Sequence, residues 1–397
     1  MKNISKFFTL VVVLLPALNA YTGFIPSVEL GTLLVILCTL LLVFNNKKTP
    51  SFSYDLPWFL LMVLFILGTG IASGYNFNYS IGYFFRLLKI IVLVFSVFWL
   101  VKQHLDYDYA VKVLTFFSLL SAVFIIIQSI AFYGVGIQIP GIFSPLAFKE
   151  DHDYGNLLNG RDMFFRPSAF FLEPAHFAAF EFVFLSYLLS HPDLKHRTLF
   201  LVVTIVGLFF STSGTAYAMI PVLFLFSYFF VNQSQGRKKS SNFVKGLFFA
   251  AIGIAFFAVL VFYTDIGASS IGRLFDSSGE ATTAVTGRLE SDAKWMFASL
   301  PSDWKLWGCG FGFRPQDTYM PSLYAILFGD GYIGLVAVFM LIAYYFFKSS
   351  GFGKMLCLTY AALFVSSGIF NFASIGLYFF FISKETAIYQ WNKKIKH

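Results

Sequence analysis

Between Lys354 and Lys384 the chain runs 29 residues without a charge, from Met355 to Ser383. Runs of this kind recur along the whole length, and they are apolar all round rather than along one stripe. A bilayer core accepts such segments; a water-soluble fold has no place for so many of them. Apolar residues make up 58% of the chain and charged residues 12%, against about 45–50% and 25% in soluble domains. Phenylalanine alone occurs 54 times. The chain is therefore read as a polytopic membrane protein.

The first apolar stretch, at 7–20, follows Lys2 and Lys6. Its Ala17-Leu18-Asn19-Ala20 has the outline of a signal-peptide cleavage site, but Leu18 stands where a small residue belongs, so the stretch is read as an uncleaved first span. A second span, at 25–44, ends at Asn45-Asn46-Lys47-Lys48, which marks the cytoplasmic side. Others follow at about 57–74, 81–101, 110–135, 174–190, 198–211, 214–231, 247–264 and 321–347. The 29-residue run near the end is long for one span and short for two, and Ser366-Ser367-Gly368-Ile369-Phe370-Asn371 offers a break. Two helices there put Lys393, Lys394 and Lys396 on the cytoplasmic side. The expectation is an all-α bundle of about 12 spans, with 11 as the alternative. Residues 1–397 form a single integral membrane domain with both termini cytoplasmic.

On that topology the cytoplasmic loops hold 18 of the 28 basic residues and the outer loops eight. The remaining two, Arg86 and Lys89, fall within a span. The net charge of +8 is thus mostly cytoplasmic anchoring and calls for no nucleic acid. Cys38, Cys309 and Cys357 are too few for a disulfide framework.

Two outer loops are large, at about 136–173 and 265–320, and loops of that length are usually either functional or disordered. They are read as packed caps forming the active site over one cavity open to the outer leaflet. The first ends in Arg161-Asp162-Met163-Phe164-Phe165-Arg166-Pro167-Ser168-Ala169-Phe170-Phe171-Leu172-Glu173-Pro174-Ala175-His176. Pro174 suits the first turn of a helix, where its missing N–H costs nothing. Glu173 and His176 then lie about one turn apart at a helix mouth with unpaired N–H groups and a partial positive charge. Arg166 and Arg161 complete a cradle suited to a phosphate or diphosphate. Plainer readings stand beside this one. Arg166 and Glu173 would also suit a structural ion pair, His176 a helix cap, and Arg161 and Arg288 solvated loop positions. Arg86 suits either a pair with Glu181, two turns into the sixth span, or a place beside a lipid diphosphate. Gly308, Gly310 and Gly312 lack the strand–helix context of a nucleotide site and read as a tight turn.

The segment from Arg166 to His176 closely resembles the motif of bacterial O-antigen and capsule polysaccharide polymerases of the Wzy type, which are related to O-antigen ligases. The second loop is similar too, with Gly287-Arg288, Trp295, Gly308-Cys309-Gly310-Phe311-Gly312, then Ser322 to Leu327 and Gly331-Tyr332-Ile333-Gly334. The polar hairpin Ser211-Thr212-Ser213-Gly214-Thr215 also fits. The resemblance covers about residues 160–345, and the first five spans share hydropathy alone.

The resemblance implies an inverting, metal-independent glycosyl transfer without a cofactor, at the outer face of the cytoplasmic membrane. The donor would be an undecaprenyl-diphosphate-linked glycan and the acceptor a hydroxyl of a lipid-linked repeat unit. Arg166 and Arg288 would neutralise the leaving diphosphate, with Arg161, Arg86 and Arg314 as further substrate contacts. Trp295 and Tyr319 would offer faces to sugar rings. Family members often carry a histidine after the glycine-rich stretch. Residues Arg314 to Met320 contain none here, so the base stays open among His176, Glu173 and Asp317. A chain-length regulator and a flippase are the protein partners such a polymerase admits. The alternatives are a ligase-type glycan transferase, which differs in acceptor, and a lipid-linked oligosaccharide flippase or transporter.

Overall fold

The computed structural model describes residues 2–23, 28–45, 56–100, 104–143, 145–149, 165–230, 292–315 and 320–395. Among the described residues the fold is helical, and the only β pairing is two isolated bridges, Tyr21 with Phe148 and Thr22 with Glu29. In chain order the helices are α1 (Lys2–Leu18), α2 (Leu30–Asn45), α3 (Leu56–Ser73), α4 (Ile81–Leu93) and α5 (Tyr107–Val135). There follow α6 (Pro174–Ser190), α7 (Arg197–Phe210), α8 (Gly214–Phe230), α9 (Asp292–Ala298) and α10 (Ser302–Trp307). The last three are α11 (Ser322–Lys348), α12 (Gly351–Ser366) and α13 (Phe372–Ile395).

Among the described residues three helices are long and apolar enough to cross a membrane: α3 with 18 residues, α5 with 29 and α11 with 27. Helices α1, α2, α6, α7, α8 and α12 are shorter and also apolar. The helices lie where apolar runs were expected, with two adjustments to their bounds. The second begins only at Leu30, because Tyr21, Thr22 and Glu29 are drawn into the two bridges. The fourth passes from α4 into a π-helical turn, Val94–Leu100. The span expected at about 247–264 lies outside the described residues.

The 29-residue apolar run is broken where its Ser-Ser-Gly-Ile-Phe-Asn stretch falls. Ser367 ends α12 in an extended conformation, and Asn371 Oδ1 accepts the Ser374 N–H at 2.9 Å to cap α13. The break is tied down from α11, whose Ser322 N–H donates to the Ser367 carbonyl (2.9 Å) and whose hydroxyl accepts the Phe370 N–H (2.7 Å). A hairpin here leaves few backbone groups to satisfy in apolar surroundings.

The chain divides into two compact units. The first comprises residues 1–12, 32–107 and 286–397, and the second residues 13–31 and 108–285. The first unit packs around aromatics of α3, α11, α12 and α13. Phe379 meets Trp58 edge-on at 4.8 Å and Tyr360 at 5.0 Å. The second unit is centred on α6, whose Phe177, Phe180, Phe182 and Phe184 are all buried, as are Glu181 and Ser186. A helix apolar all round and buried all round is the central helix of its bundle. Lipid tails are as apolar as phenylalanine, so close packing rather than transfer from water holds such a helix in place.

Candidate functional site

The motif segment lies in the second unit and leads directly into its central helix. Glu173 is the N-cap of α6 with extended backbone (φ −142°, ψ 154°), and Pro174 occupies the first turn as expected. The Glu173 carbonyl accepts the N–H groups of His176 (3.0 Å) and Phe177 (3.2 Å), while its carboxylate makes no cap hydrogen bond. Glu173 therefore precedes the helix rather than sharing a helical face with His176. The two occupy the N-cap and third positions, the register of a capping box, in which side chains converge on the helix mouth. Arg166, Glu173 and His176 are all half-buried.

Residues 165–171 are pinned along α5, and this clamp has no signature in the motif itself. Tyr133 donates to the Phe165 carbonyl (3.2 Å), and Phe132 packs on the Phe165 ring at 5.0 Å. The buried amide of Gln128 accepts the Ala169 N–H at 3.1 Å and donates to the Ile139 carbonyl at 2.9 Å. Phe124 stacks on Phe170 at 5.0 Å, nearly parallel. Phe117 touches Phe170, Phe171 and Phe180. Ala169 has φ +49°, a left-handed conformation that costs a non-glycine residue about 1–2 kcal/mol. Gly141 lies so close that a Cβ there would run into the Ala169 carbonyl. Strain held by its surroundings in this way is characteristic of functional segments. It turns the chain so that Arg166 and Glu173 bracket a short, rigid approach to α6.

The glycine-rich stretch of the first unit is a tight turn, as its sequence suggested. Gly308, Gly310 and Gly312 have φ of +83°, +99° and +82°. A Cβ at Gly308 would collide with the Gly329 carbonyl, so that position must be glycine on two counts. The turn's carbonyls are taken in order by the segment after α3 and by α4. Tyr75 donates to Gly308 (2.5 Å), Asn76 to Cys309 (2.7 Å), Tyr79 to Phe311 (3.0 Å) and Arg86 to Gly312 (2.9 Å). Burial pushes the Tyr75 hydroxyl up to about 12, aided by Cys309 and Asp303. Burial also pushes Tyr79 up to about 12, with Asp330 adding to the shift and a hydrogen bond to Thr69 opposing it. Both phenols remain donors throughout the neutral range. Arg86 is exposed and spends one N–H on the turn, and its ring contact is Tyr83 at 5.4 Å.

On its other side the turn closes a break in α11. Gly331 is non-helical (φ 62°, ψ −161°) and splits that helix in two. The carbonyls of Phe328 and Gly329, freed at the break, accept the N–H groups of Cys309 (2.6 Å) and Gly310 (3.0 Å). Asp330 sits at the break, 2% exposed, with no hydrogen-bond partner on either carboxylate oxygen. Sequence reasoning passed over Asp330. The signal was there, an acid between two glycines in a helix whose other charge is Lys348 at its end.

The remaining expected residues are more dispersed. Trp295 is exposed on α9 with Lys294 at 5.6 Å over its ring, and Arg314 is exposed after the glycine turn. Arg161, Arg288, Asp317 and Tyr319 lie outside the described residues. The hairpin at Ser211, Thr212 and Ser213 is buried, its polar groups turned inward. Among the described residues no three of His, Cys, Asp and Glu converge as metal ligands. Comparison with protein-family models, with curated proteins and with solved structures returned no match.

Proposed function

We propose that the protein is a glycosyltransferase that polymerises undecaprenyl-diphosphate-linked repeat units into O-antigen or capsular polysaccharide at the outer face of the bacterial cytoplasmic membrane. The observation that carries this reading is the mouth of α6. Glu173 and His176 stand half-buried there, and half-buried Arg166 lies on the strained, clamped segment that leads to them. A leaving diphosphate needs dense positive charge in a partly dry site, and Arg166, on the clamped approach to a helix N-terminus, is assigned to supply it. Breaking the anomeric C–O bond releases the lipid diphosphate, and the acceptor hydroxyl attacks that carbon from the opposite face while losing its proton. His176, at the third position of the helix, is the residue assigned to take that proton. Glu173 holds the mouth and orients Arg166. The test is analysis of surface glycan and lipid-linked intermediates in a strain lacking the protein. Chains collapsing to one repeat unit support polymerisation, whereas long chains left unattached support the ligase relative.

One observation favours a second reading, a lipid-linked oligosaccharide transporter. The broken helix α11 with buried Asp330 at its break has the form of a discontinuous transport helix. Single lipid-linked units accumulating on the cytoplasmic side of the deletion strain would select it.

A further inference from the structure

The hydroxyls of this protein's apolar helices mostly bond back to their own chain. Thr9, Thr39, Thr359 and Thr386 each donate to the carbonyl four residues earlier. Ser118, Ser121 and Thr204 do not, and neither do Ser129, Ser186 and Ser383; what sets the first three apart is their place beside Glu181. All three are fully buried, as is Glu181, and none of their side-chain oxygens has a hydrogen-bond partner. Ser118 lies near enough to the Glu181 carboxyl to interact with it, although no bond of good geometry forms.

Ring contacts and one close helix approach bring Ser118, Glu181 and Thr204 to a single level, with Ser121 one turn along α5. The segment from Phe165 to Phe180 runs antiparallel to α5, since Phe132, Phe124 and Phe117 meet Phe165, Phe170 and Phe180 in turn. Ser118 and Glu181 directly follow the Phe117–Phe180 contact. Between α6 and α7, joined by a short turn, Phe184 meets Phe200 at 6.5 Å. One turn back from Phe184 is Glu181, and one turn on from Phe200 is Thr204, so those two are level as well. Between α5 and α7, a Cβ at Gly207 would stand 2.7 Å from the Ala122 Cβ. One turn before these lie Ser118 and Thr204, and Ser121, next to Ala122, follows Ser118 by one turn on the same face of α5. The triangle of helices closes on itself.

We propose that Ser118, Ser121, Glu181 and Thr204 form a binding site for a monovalent alkali cation in the centre of the second unit. An isolated ionised carboxylate in apolar surroundings is very costly and demands a positive partner. A proton would let the carboxyl bond a neighbouring hydroxyl such as Ser118, but would leave the remaining hydroxyls without partners. A hard cation uses both carboxylate oxygens and the three hydroxyl oxygens together. One acid matches one positive charge, whereas a divalent ion would leave the site charged. The site lies seven residues into α6, roughly 10 Å below the helix mouth at 1.5 Å per residue. It does not rest on the transfer reaction assigned to that mouth.

The test uses the full-length protein in detergent, melted in sodium, lithium or potassium chloride against N-methyl-glucamine chloride at equal ionic strength. One alkali ion should raise Tm on the order of 5 °C at a hundredfold excess over its Kd. In parallel, dicyclohexylcarbodiimide, which modifies protonated carboxyls in apolar surroundings, should label Glu181, and the same ion should slow labelling at least tenfold. Glu181→Gln should abolish the Tm response. Thr204→Val, which keeps the shape and the acid, should raise the half-effective ion concentration about tenfold. Equal labelling and equal melting in all four salts would overturn the proposal and leave Glu181 a protonated, ion-blind residue.

Discussion

Replacing Gln128 with leucine should unlatch the motif segment while leaving the bundle assembled. Gln128 holds two chain segments at once, through the Ala169 N–H at 3.1 Å and the Ile139 carbonyl at 2.9 Å. Leucine is similar in size and better suited to α5, so the helix itself gains. The buried Ala169 N–H is left without a partner, which costs about 1–3 kcal/mol, and the half-buried Ile139 carbonyl loses about 1 kcal/mol more. The left-handed Ala169 holds about 1–2 kcal/mol of strain that opening would release. Allowing for partial relaxation, the latch weakens by about 3 kcal/mol, and at 1.36 kcal/mol per decade its open population rises about 100-fold. Hydrogen exchange of a peptide covering residues 165–171 should accelerate by about that factor, while peptides from α6 and α8 stay protected. Ala169→Gly, which removes the steric cost, should slow the same peptide instead. Unchanged exchange in Gln128→Leu would refute the clamp, and with it the account of how the α6 mouth is held.

Four further outcomes follow. Arg166→Lys should lose polymer nearly as completely as Arg166→Ala, because a point charge cannot replace a planar fork on a diphosphate; wild-type polymer from the lysine variant would reduce Arg166 to a general anchor. His176→Gln should lower transfer about 10²–10⁴-fold, the usual worth of a general base, with Glu173→Gln falling less; the opposite order, at equal membrane levels, would move the base to Glu173. Alkali should release the glycine turn. Tyr75 and Tyr79 are raised to about 12, so their contribution is complete below the ordinary phenol value near 10 and disappears as pH climbs towards 12. Buried Cys309, itself pushed up to about 12, should resist a thiol reagent below pH 10 and react early in Asn76→Ala. Equal reactivity in both proteins would show that Asn76 does not hold the turn.

What the sequence determined by itself was whatever depends on neighbours along the chain. Apolar runs specify helices because spacing and composition act locally. The break at Ser367 and the Pro174 start of α6 were legible for the same reason, as were the positive-φ glycines 308, 310 and 312. The tertiary structure decided everything that joins distant residues. Gln128 stands 41 residues from Ala169, and Tyr75 stands 233 from Gly308. Nothing in their local patterns separates a clamp from an ordinary polar residue on an apolar helix. Glu173 was legible as part of a motif, but its place as N-cap rather than on the helix face needed the backbone of residues 169–173. Glu181 and Asp330 show the same division. Their charge inside apolar runs is plain from sequence, yet their burial and orphaned oxygens arise only when neighbouring helices close around them. A carboxylate's chemistry is set by what surrounds it, and those surroundings are assembled across the fold.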